Sequence, residues 1–226
     1  VAGSSFVRLF HSVTRVVRWA ALLDDPVPMK ICGSFHFSGG AMGLLTFGIN
    51  VTLDGCIDHQ EGVVDDETHA FFTSLMDAAA AMLWGRVTYE MMEGYWPAVA
   101  RGDVEAPAAT REWAAKLQVK PKYVVSSARK DFPWDNSFHI AGDLQEGVQA
   151  LKDATPGGVL LGSGKLAAAL DRLDLIDEYR FLLHPRIAGH GPTLYESGLM
   201  GTRRLERISS KPLRNGAMAM HYRRAH

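Results

Sequence analysis

Residues 159–166 read VLLGSGKL, an apolar run that stops at two closely spaced glycines. The run has the length and composition of a buried strand, and Leu166, Leu170 and Leu173 then recur at i, i+4 and i+7, as they do on one face of a helix. Gly162-Ser163-Gly164 therefore predicts a strand-to-helix turn. In open α/β sheets such turns lie where free backbone N–H groups bind anions.

A second turn of the same kind follows the apolar run AMLW at residues 81–84. The run ends at Gly85-Arg86, and residues 88–92 continue in a pattern compatible with a helix. A basic side chain at a helix N-terminus suits an anion for the same electrostatic reason. The sequence thus predicts two glycine turns that are both suited to binding an anion.

The rest of the chain alternates strands and helices around these two turns. Residues 44–55 read LLTFGINVTLDG, a strand that ends at Asp54-Gly55, and further strands are predicted at residues 122–126 and 137–140. Helices are predicted after the acidic residues 65–67 and after Asp143, whereas residues 97–107 are predicted to be a loop. This alternation predicts a mostly parallel central sheet with helices on both faces.

The C-terminal part predicts a different strand arrangement. Residues 178–184 and 205–223 have the pattern of longer strands, and Asn215-Gly216 interrupts the second stretch. Asn-Gly is the strongest two-residue signal of a hairpin. An antiparallel edge is therefore expected at the C-terminal end of the sheet.

Composition limits the class of protein and of partner. The 226 residues suit one domain, and 24 Lys and Arg against 25 Asp and Glu leave a net charge of -1, which gives no general attraction to nucleic acid or anionic lipid. The two cysteines form neither a disulfide framework nor a zinc set, and no apolar run approaches the roughly 20 residues of a membrane span. We predict a cytoplasmic protein with a small-molecule partner.

Residues 1–41 are predicted to be a separate, disordered N-terminal extension to a domain of residues 42–226. Apolar residues are interleaved there with Arg8, Arg15 and Arg18, and no acid precedes Asp24. This composition is typical of an organellar transit peptide. The alternative is an upstream stretch translated in error, because a strand pattern opens directly after Met42.

Four familiar motifs can be tested against these residues. A Walker A loop is excluded because Leu166 stands where that motif requires Ser or Thr. A dinucleotide-binding fingerprint is matched by Gly162, Gly164 and Ala167. The acidic residue that should follow the next strand in that fingerprint is missing. His184 and His190 lack the spacing of a helical metal pair, so no metal site is predicted. Ser163 has no partners at the spacing of a hydrolase triad.

Six segments together resemble the dihydrofolate reductase-like superfamily. They are VTLDG at 51–55, GRVTYE at 85–90, PKYVVSS at 121–127, SSAR at 126–129, GSGKL at 162–166 and LHPRIAGHGPTLYE at 183–196. The branch they are most similar to is the reductase domain at the C-terminus of riboflavin-specific deaminases, in its stand-alone form. The resemblance covers nearly all of residues 42–226.

The resemblance implies an NADPH-dependent oxidoreductase of riboflavin-pathway type that forms a homodimer. It places the cofactor phosphates at the turn after the second strand, the adenosine ribose and its 2′-phosphate in the region after the third strand, and the pyrophosphate at the late glycine turn. Hydroxyls and a guanidinium are the groups that a 2′-phosphate needs. The implied cofactor-binding residues are Thr52, Gly55, Gly85, Arg86, Val87, Thr88, Ser126, Ser127, Arg129, Gly162, Ser163, Gly164, Lys165 and Leu166.

The substrate side departs from dihydrofolate reductase itself. That enzyme carries a pterin-binding carboxylate on the helix after the first strand, whereas the inward face here offers Phe72, Leu75 and Met76, and Asp77 lies off that face. The resemblance moves the catalytic prediction to Asp54, beside the nicotinamide, where a carboxylate would orient the substrate or relay a proton. The alternative role for Asp54 is that of a turn residue that closes the first strand.

The expected reaction is hydride transfer from NADPH to a small heterocyclic or carbonyl substrate, such as a pteridine or an aminopyrimidine. Two other functions stay open. One is a non-catalytic nucleotide-binding regulatory module that has kept the cofactor site, and the other is a true dihydrofolate reductase.

Overall fold

A computed structural model describes residues 43–225, so the prediction for residues 1–41 lies outside the described part of the chain. The strands are β1 (Leu45–Thr52), β2 (Ala81–Gly85), β3 (Lys122–Val125), β4 (Ser137–Ile140), β5 (Val159–Leu161), β6 (Glu178–His184), β7 (Leu205–Pro212) and β8 (Met218–Arg224). The helices are α1 (Asp66–Ala78), α2 (Arg86–Glu93), α3 (Trp96–Arg101), α4 (Ala108–Val119), α5 (Leu144–Ala154) and α6 (Gly164–Arg172), with a short 3-10 helix at His59–Glu61.

All eight of these strands form one sheet in the order β4-β3-β2-β5-β1-β6-β8-β7. The first six in that order are parallel, and β8 pairs antiparallel with both β6 and β7. The predicted parallel sheet with an antiparallel C-terminal edge is confirmed. Since β1, β2 and β5 run in the same direction and lie side by side, their carboxyl ends meet at one edge of the sheet.

Helices cover both faces of the sheet, as predicted. On one face, Val148 of α5 and Leu170 of α6 pack in a core with Phe47, and all three side chains are fully buried. On the other face, Met76 of α1 and Leu117 of α4 pack against the strands in a second core. Burial of a side chain of this size stabilises the fold by roughly 1.5–3 kcal/mol.

The prediction of a loop at residues 97–107 was wrong, because α3 occupies part of that stretch and α4 follows it. Pro97 lies in the first turn of α3, where a missing N–H breaks no helical hydrogen bond. Gly102 then ends α3 with a φ of 82°, in the left-handed region that glycine adopts without strain. Proline and glycine thus mark the ends of helices here and do not prevent them.

The predicted hairpin is also present. β7 and β8 flank a turn in which Gly216 has a φ of 84°, and the Asn215 side chain accepts a hydrogen bond from the N–H of Ala217 at 2.9 Å. Within residues 43–225, no helix has the length and apolar character that a bilayer crossing requires.

Candidate functional site

The two glycine turns lie next to each other and are joined by one side chain. Strands β2 and β5 are neighbours, and the Ser163 hydroxyl accepts the N–H of Gly85 at 3.0 Å and donates to the Thr88 hydroxyl at 2.7 Å. Ser163 itself is only 5% exposed, whereas Gly85 and Thr88 are partly buried. Hydrogen bonds therefore connect Gly85, Thr88 and Ser163, three of the residues predicted to bind the cofactor.

Ser163 stands at the N-cap of α6 but does not cap that helix. Ser is among the preferred N-cap residues because its oxygen accepts a first-turn N–H, as the Asp65 carboxylate does for α1 and the Asp143 carboxylate for α5. No side chain caps α6, and none caps α2, which begins after Gly85. The first-turn N–H groups of both helices thus have no side-chain acceptor at this edge of the sheet.

A loop from β1 approaches the start of α6 closely. A Cβ at Gly164 would overlap the terminal methyl of Ile57, which lies in the loop of residues 53–65, and a Cβ at Gly162 would lie 3.1 Å from the indole nitrogen of Trp84. Glycine at these positions leaves room for the neighbouring side chains. The β1–α1 loop therefore forms one wall of the site.

Arg86 and Arg129 are both in ion pairs with acids of α2. Arg86 lies 2.8 Å from Glu90, one helical turn away, and Arg129 donates two bonds to the Glu93 carboxylate at 2.8 and 3.0 Å. The hydrogen bond to Glu93 raises the pKa of Arg129. The sequence analysis did not identify Glu93, and its pairing with Arg129 spans 36 positions.

The other residues predicted near the ribose lie in the turn after β3. The Ser126 hydroxyl accepts the N–H groups of Ala128 and Arg129 at 3.2 and 2.8 Å, so it shapes the turn. Ser127 is exposed, and so are Val87 and Lys165 at the two glycine turns. Exposed side chains at this edge are accessible to a ligand.

The Asp54 carboxylate binds a second loop, residues 185–204, which joins β6 to β7. Its oxygens accept the Thr52 hydroxyl and the N–H groups of Ala188 and Gly189, the latter two at 3.1 and 2.7 Å. The hydrogen bond from Thr52, followed by those from Gly189 and Ala188, holds the pKa of Asp54 well below its usual range. The side chain is exposed, and at neutral pH it is ionised.

Backbone hydrogen bonds fasten the same two loops together. The N–H of Leu53 donates to Arg186 at 2.8 Å, that of Ile57 donates to Pro192 at 2.9 Å, and that of Leu194 donates to Gly55 at 2.8 Å. Gly55 has a φ of 84°, which the turn after β1 requires. With the Asp54 bonds, these contacts make the two loops a single wall beside the carboxyl end of β1.

A fully buried histidine, His184, holds that wall in place through hydrogen bonds. The His184 Nδ1 accepts the N–H of Val63 at 3.2 Å, so its Nε2 carries the proton and donates to the Asn50 side chain at 2.7 Å. Burial lowers the pKa of His184, and Arg186 adds to this effect. Sequence reasoning considered His184 only as a metal ligand and missed its role in holding the loop.

The helix after the first strand agrees with the sequence analysis. Leu75 and Met76 are buried, whereas Asp77 is exposed and forms an ion pair with Lys116 of α4 at 2.8 Å. Asp77 therefore lies off the inward face, as predicted. Trp84 and Trp96 pack in the core on the α1 side of the sheet.

Comparison with known proteins gives the family and the fold. The protein YyaP of Bacillus subtilis strain 168, whose function is uncharacterised, is 28% identical over 149 residues, which are 64% of this chain and 76% of YyaP. A structure from Shewanella sp. PV-4, with a proposed role in riboflavin biosynthesis, superposes with a TM-score of 0.62 at 21% identity and covers 81% of this chain and 99% of its own.

Two further structures have the same fold at lower identity. The riboflavin biosynthesis reductase Rib7 of Saccharomyces cerevisiae has a TM-score of 0.56 at 15% identity, covering 84% of this chain and 93% of Rib7. The dihydrofolate reductase of Enterococcus faecalis, solved with NADP(H) and RAB-propyl, has a TM-score of 0.54 at 14% identity, covering 83% of this chain and 99% of its own. The fold is thus dihydrofolate reductase-like. The family model described as the RibD C-terminal domain matches residues 44–219, and the chain belongs to that family.

Proposed function

We propose that the protein is an NADPH-dependent reductase that transfers hydride to a small heterocyclic or carbonyl substrate of pteridine or aminopyrimidine type. The observation that carries the proposal is the pair of adjacent glycine turns, joined through Ser163, from which two uncapped helices begin. Their N–H groups and helix dipoles favour a bound pyrophosphate. Membership of the RibD C-terminal domain family supports the reductase assignment.

Further side chains at this edge suit the rest of a dinucleotide. Arg86 and Lys165 stand beside the two turns, and Thr88 lies in the first turn of α2. The Ser126–Arg129 turn lies at the end of the adjacent strand β3, one position further along the sheet. We propose that the pyrophosphate binds at the turns and that the adenosine ribose binds near Ser127.

The reaction supplied by NADPH would be transfer of a hydride from its nicotinamide to a carbon of the substrate. Asp54 is too strongly stabilised as the anion to deliver the accompanying proton at neutral pH. A carboxylate accepts about four hydrogen bonds, and three are made here, so about one more donor can be accommodated. We propose that Asp54 orients an amine or hydroxyl of the substrate while it holds the loop wall.

The first experiment measures cofactor binding through stability. At about 100 times its dissociation constant, NADPH should raise the free energy of unfolding by ~2.7 kcal/mol. For a domain of this size, that corresponds to a rise in the melting temperature of roughly 5–10 °C. A melting temperature that does not change with millimolar NADPH would remove the cofactor from the proposal.

The second experiment measures turnover. NADPH absorbance is followed in the presence of pterins, flavin precursors, aminopyrimidines and quinones, with wild type and Asp54→Asn side by side. Turnover of a substrate by wild type and its loss in Asp54→Asn would support the orienting role. Turnover that is the same in both proteins would leave Asp54 with the turn-closing role only.

A non-catalytic nucleotide-binding module is the second candidate, and the engagement of Asp54 by the β6–β7 loop favours it. Binding of NADPH without turnover of any substrate in the panel would select this candidate. A true dihydrofolate reductase is a weaker alternative because Asp77 faces Lys116 on the outer side of α1. We therefore expect methotrexate to bind poorly.

We also propose that the protein forms a homodimer. The hairpin leaves β7 at the edge of the sheet with most of its residues exposed on both faces. An unpaired edge strand presents free N–H and C=O groups that a second copy can engage. Light scattering on the purified chain gives the mass directly, and a monomer at micromolar concentration would contradict this proposal.

A further inference from the structure

The ion pairs that Arg86 and Arg129 form change the electrostatics expected for the adenosine end of the site. This inference rests on the proposed function, because it concerns which reduced nicotinamide the site accepts. NADPH differs from NADH only in a 2′-phosphate with close to two negative charges at neutral pH. A site favours the phosphate through charge-assisted hydrogen bonds from cations, and an acid bound to the same cation weakens that attraction.

Arg129 has little capacity left for such a phosphate. Its Nε donates to the carbonyl of Asp131 at 2.6 Å, and its two terminal nitrogens donate to the Glu93 carboxylate. Its guanidinium also lies over the rings of Tyr89 and Phe132, at 5.4 and 5.3 Å from their centroids. Three of five N–H donors are therefore used, and the side chain is fixed in place.

Glu90 connects the two ion pairs. Its carboxylate lies 2.8 Å from Arg86 and 3.7 Å from Arg129, so two acids and two arginines form one cluster, which we call the α2 charge cluster. The four formal charges sum to zero. Lys130, which follows Arg129 in sequence, is exposed.

We infer that Glu90 and Glu93 limit the preference of the site for NADPH over NADH, to within about tenfold, by neutralising the two arginines. A 2′-phosphate that approaches Arg129 also approaches the Glu93 carboxylate. The repulsion between them offsets the attraction of the guanidinium. Removal of one acid leaves a cationic cluster that favours the phosphate.

The test compares NADPH and NADH on four proteins by titration calorimetry and by quenching of tryptophan fluorescence. The proteins are wild type, Glu93→Gln, Glu90→Gln and the control Glu112→Gln. Glu112 is also a helical acid with a basic partner one turn away, Lys116 at 3.5 Å, but it lies on α4 outside the cluster. Glutamine keeps the size of the side chain and one carbonyl acceptor while removing the charge.

Wild type is expected to bind the two nucleotides within about tenfold of each other. Glu93→Gln should tighten NADPH binding about tenfold, Glu90→Gln should do so to a smaller extent, and neither should change NADH binding. Glu112→Gln should change neither. Because Glu90 is 36% exposed and holds no bidentate pair, its variant gives a second reading if Glu93→Gln does not fold.

Two results would overturn the inference. One is a wild-type preference for NADPH above a hundredfold, and the other is an unchanged NADPH-to-NADH ratio in both glutamine variants. Failure of all four proteins to bind either nucleotide at millimolar concentration is a different outcome. It would refute the proposed cofactor, and the inference about its selection would fall with it.

Discussion

The Ser163 hydroxyl offers the sharpest test of the site, because a single oxygen joins both glycine turns. Ser163→Ala removes the acceptor of the Gly85 N–H and the donor to Thr88. A buried donor left without a partner costs about 1–3 kcal/mol, and the lost hydroxyl bond costs about 1 kcal/mol. We expect the free energy of unfolding to fall by ~2 kcal/mol, which lowers the melting temperature by roughly 4–8 °C.

Thr88→Val separates the two contributions. It removes only the Ser163–Thr88 hydrogen bond, since the Ser163 oxygen still accepts the N–H of Gly85. We therefore expect a smaller loss, about 1 kcal/mol, and a coupling energy of ~0.5–1 kcal/mol in the double-mutant cycle. Urea unfolding of wild type, the two single variants and the double variant gives the four free energies of unfolding that the cycle needs. A Ser163→Ala loss below 0.5 kcal/mol, roughly the size of an ordinary surface change, or a coupling of zero would refute the reasoning.

Three further predictions concern the loop wall. Gly164→Ala should destabilise the protein by about 1–3 kcal/mol because its Cβ overlaps Ile57, and thermal unfolding of the combination with Ile57→Ala should show partial recovery, whose absence would count against the contact. Asp54→Asn should be less stable than wild type at neutral pH, and the difference in stability should shrink in acid. The reason is that the pKa of Asp54 is lowered in the folded protein, so the stabilisation by its anion is lost as the pH falls below about 4. A difference between the two proteins that stays constant in acid unfolding would contradict this. The pKa of His184 in the folded protein lies below its ordinary value of 6.5, so wild type should lose stability as the pH falls from 7.5 to 5.5. His184→Gln should lose less stability over that range, as measured by denaturant unfolding. Equal losses in the two proteins would argue against a buried neutral histidine.

The strands of the sheet could be predicted because each has a recognisable pattern in its own stretch of sequence. β2 and β5 are short apolar runs that end at glycine, and β7 and β8 flank an Asn-Gly turn. The order of the strands was not predicted, since it depends on contacts far apart in the chain. The α3 and α4 helices were missed because Pro97 and Pro107 were taken as signs of a loop, although proline is compatible with a helix start.

The places of the candidate site residues in the fold could be predicted from the sequence, but their ion pairs could not. Local motifs located Arg86 and Arg129 correctly at the carboxyl edge of the sheet. The acid that pairs with Arg129 is Glu93, 36 positions away, and no local pattern links the two. Two of the three hydrogen-bond partners of Asp54 lie 134 and 135 positions away, in the β6–β7 loop. Charge at a site depends on such distant partners, whereas a turn depends on its neighbours in sequence.

Ser163 shows how the fold and the proposed function are connected. A serine at the N-cap would ordinarily stabilise its own helix by about 1 kcal/mol, and here its hydroxyl turns away to the neighbouring turn. The fold therefore forgoes a local stabilisation at the place where the N-termini of α2 and α6 lie next to each other. Departures from local rules of this kind are concentrated at functional sites. Because the hydroxyl is engaged, a bound pyrophosphate would be held by the first-turn N–H groups of α6 and α2, and binding would depend on the backbone of both turns being held in place by Ser163.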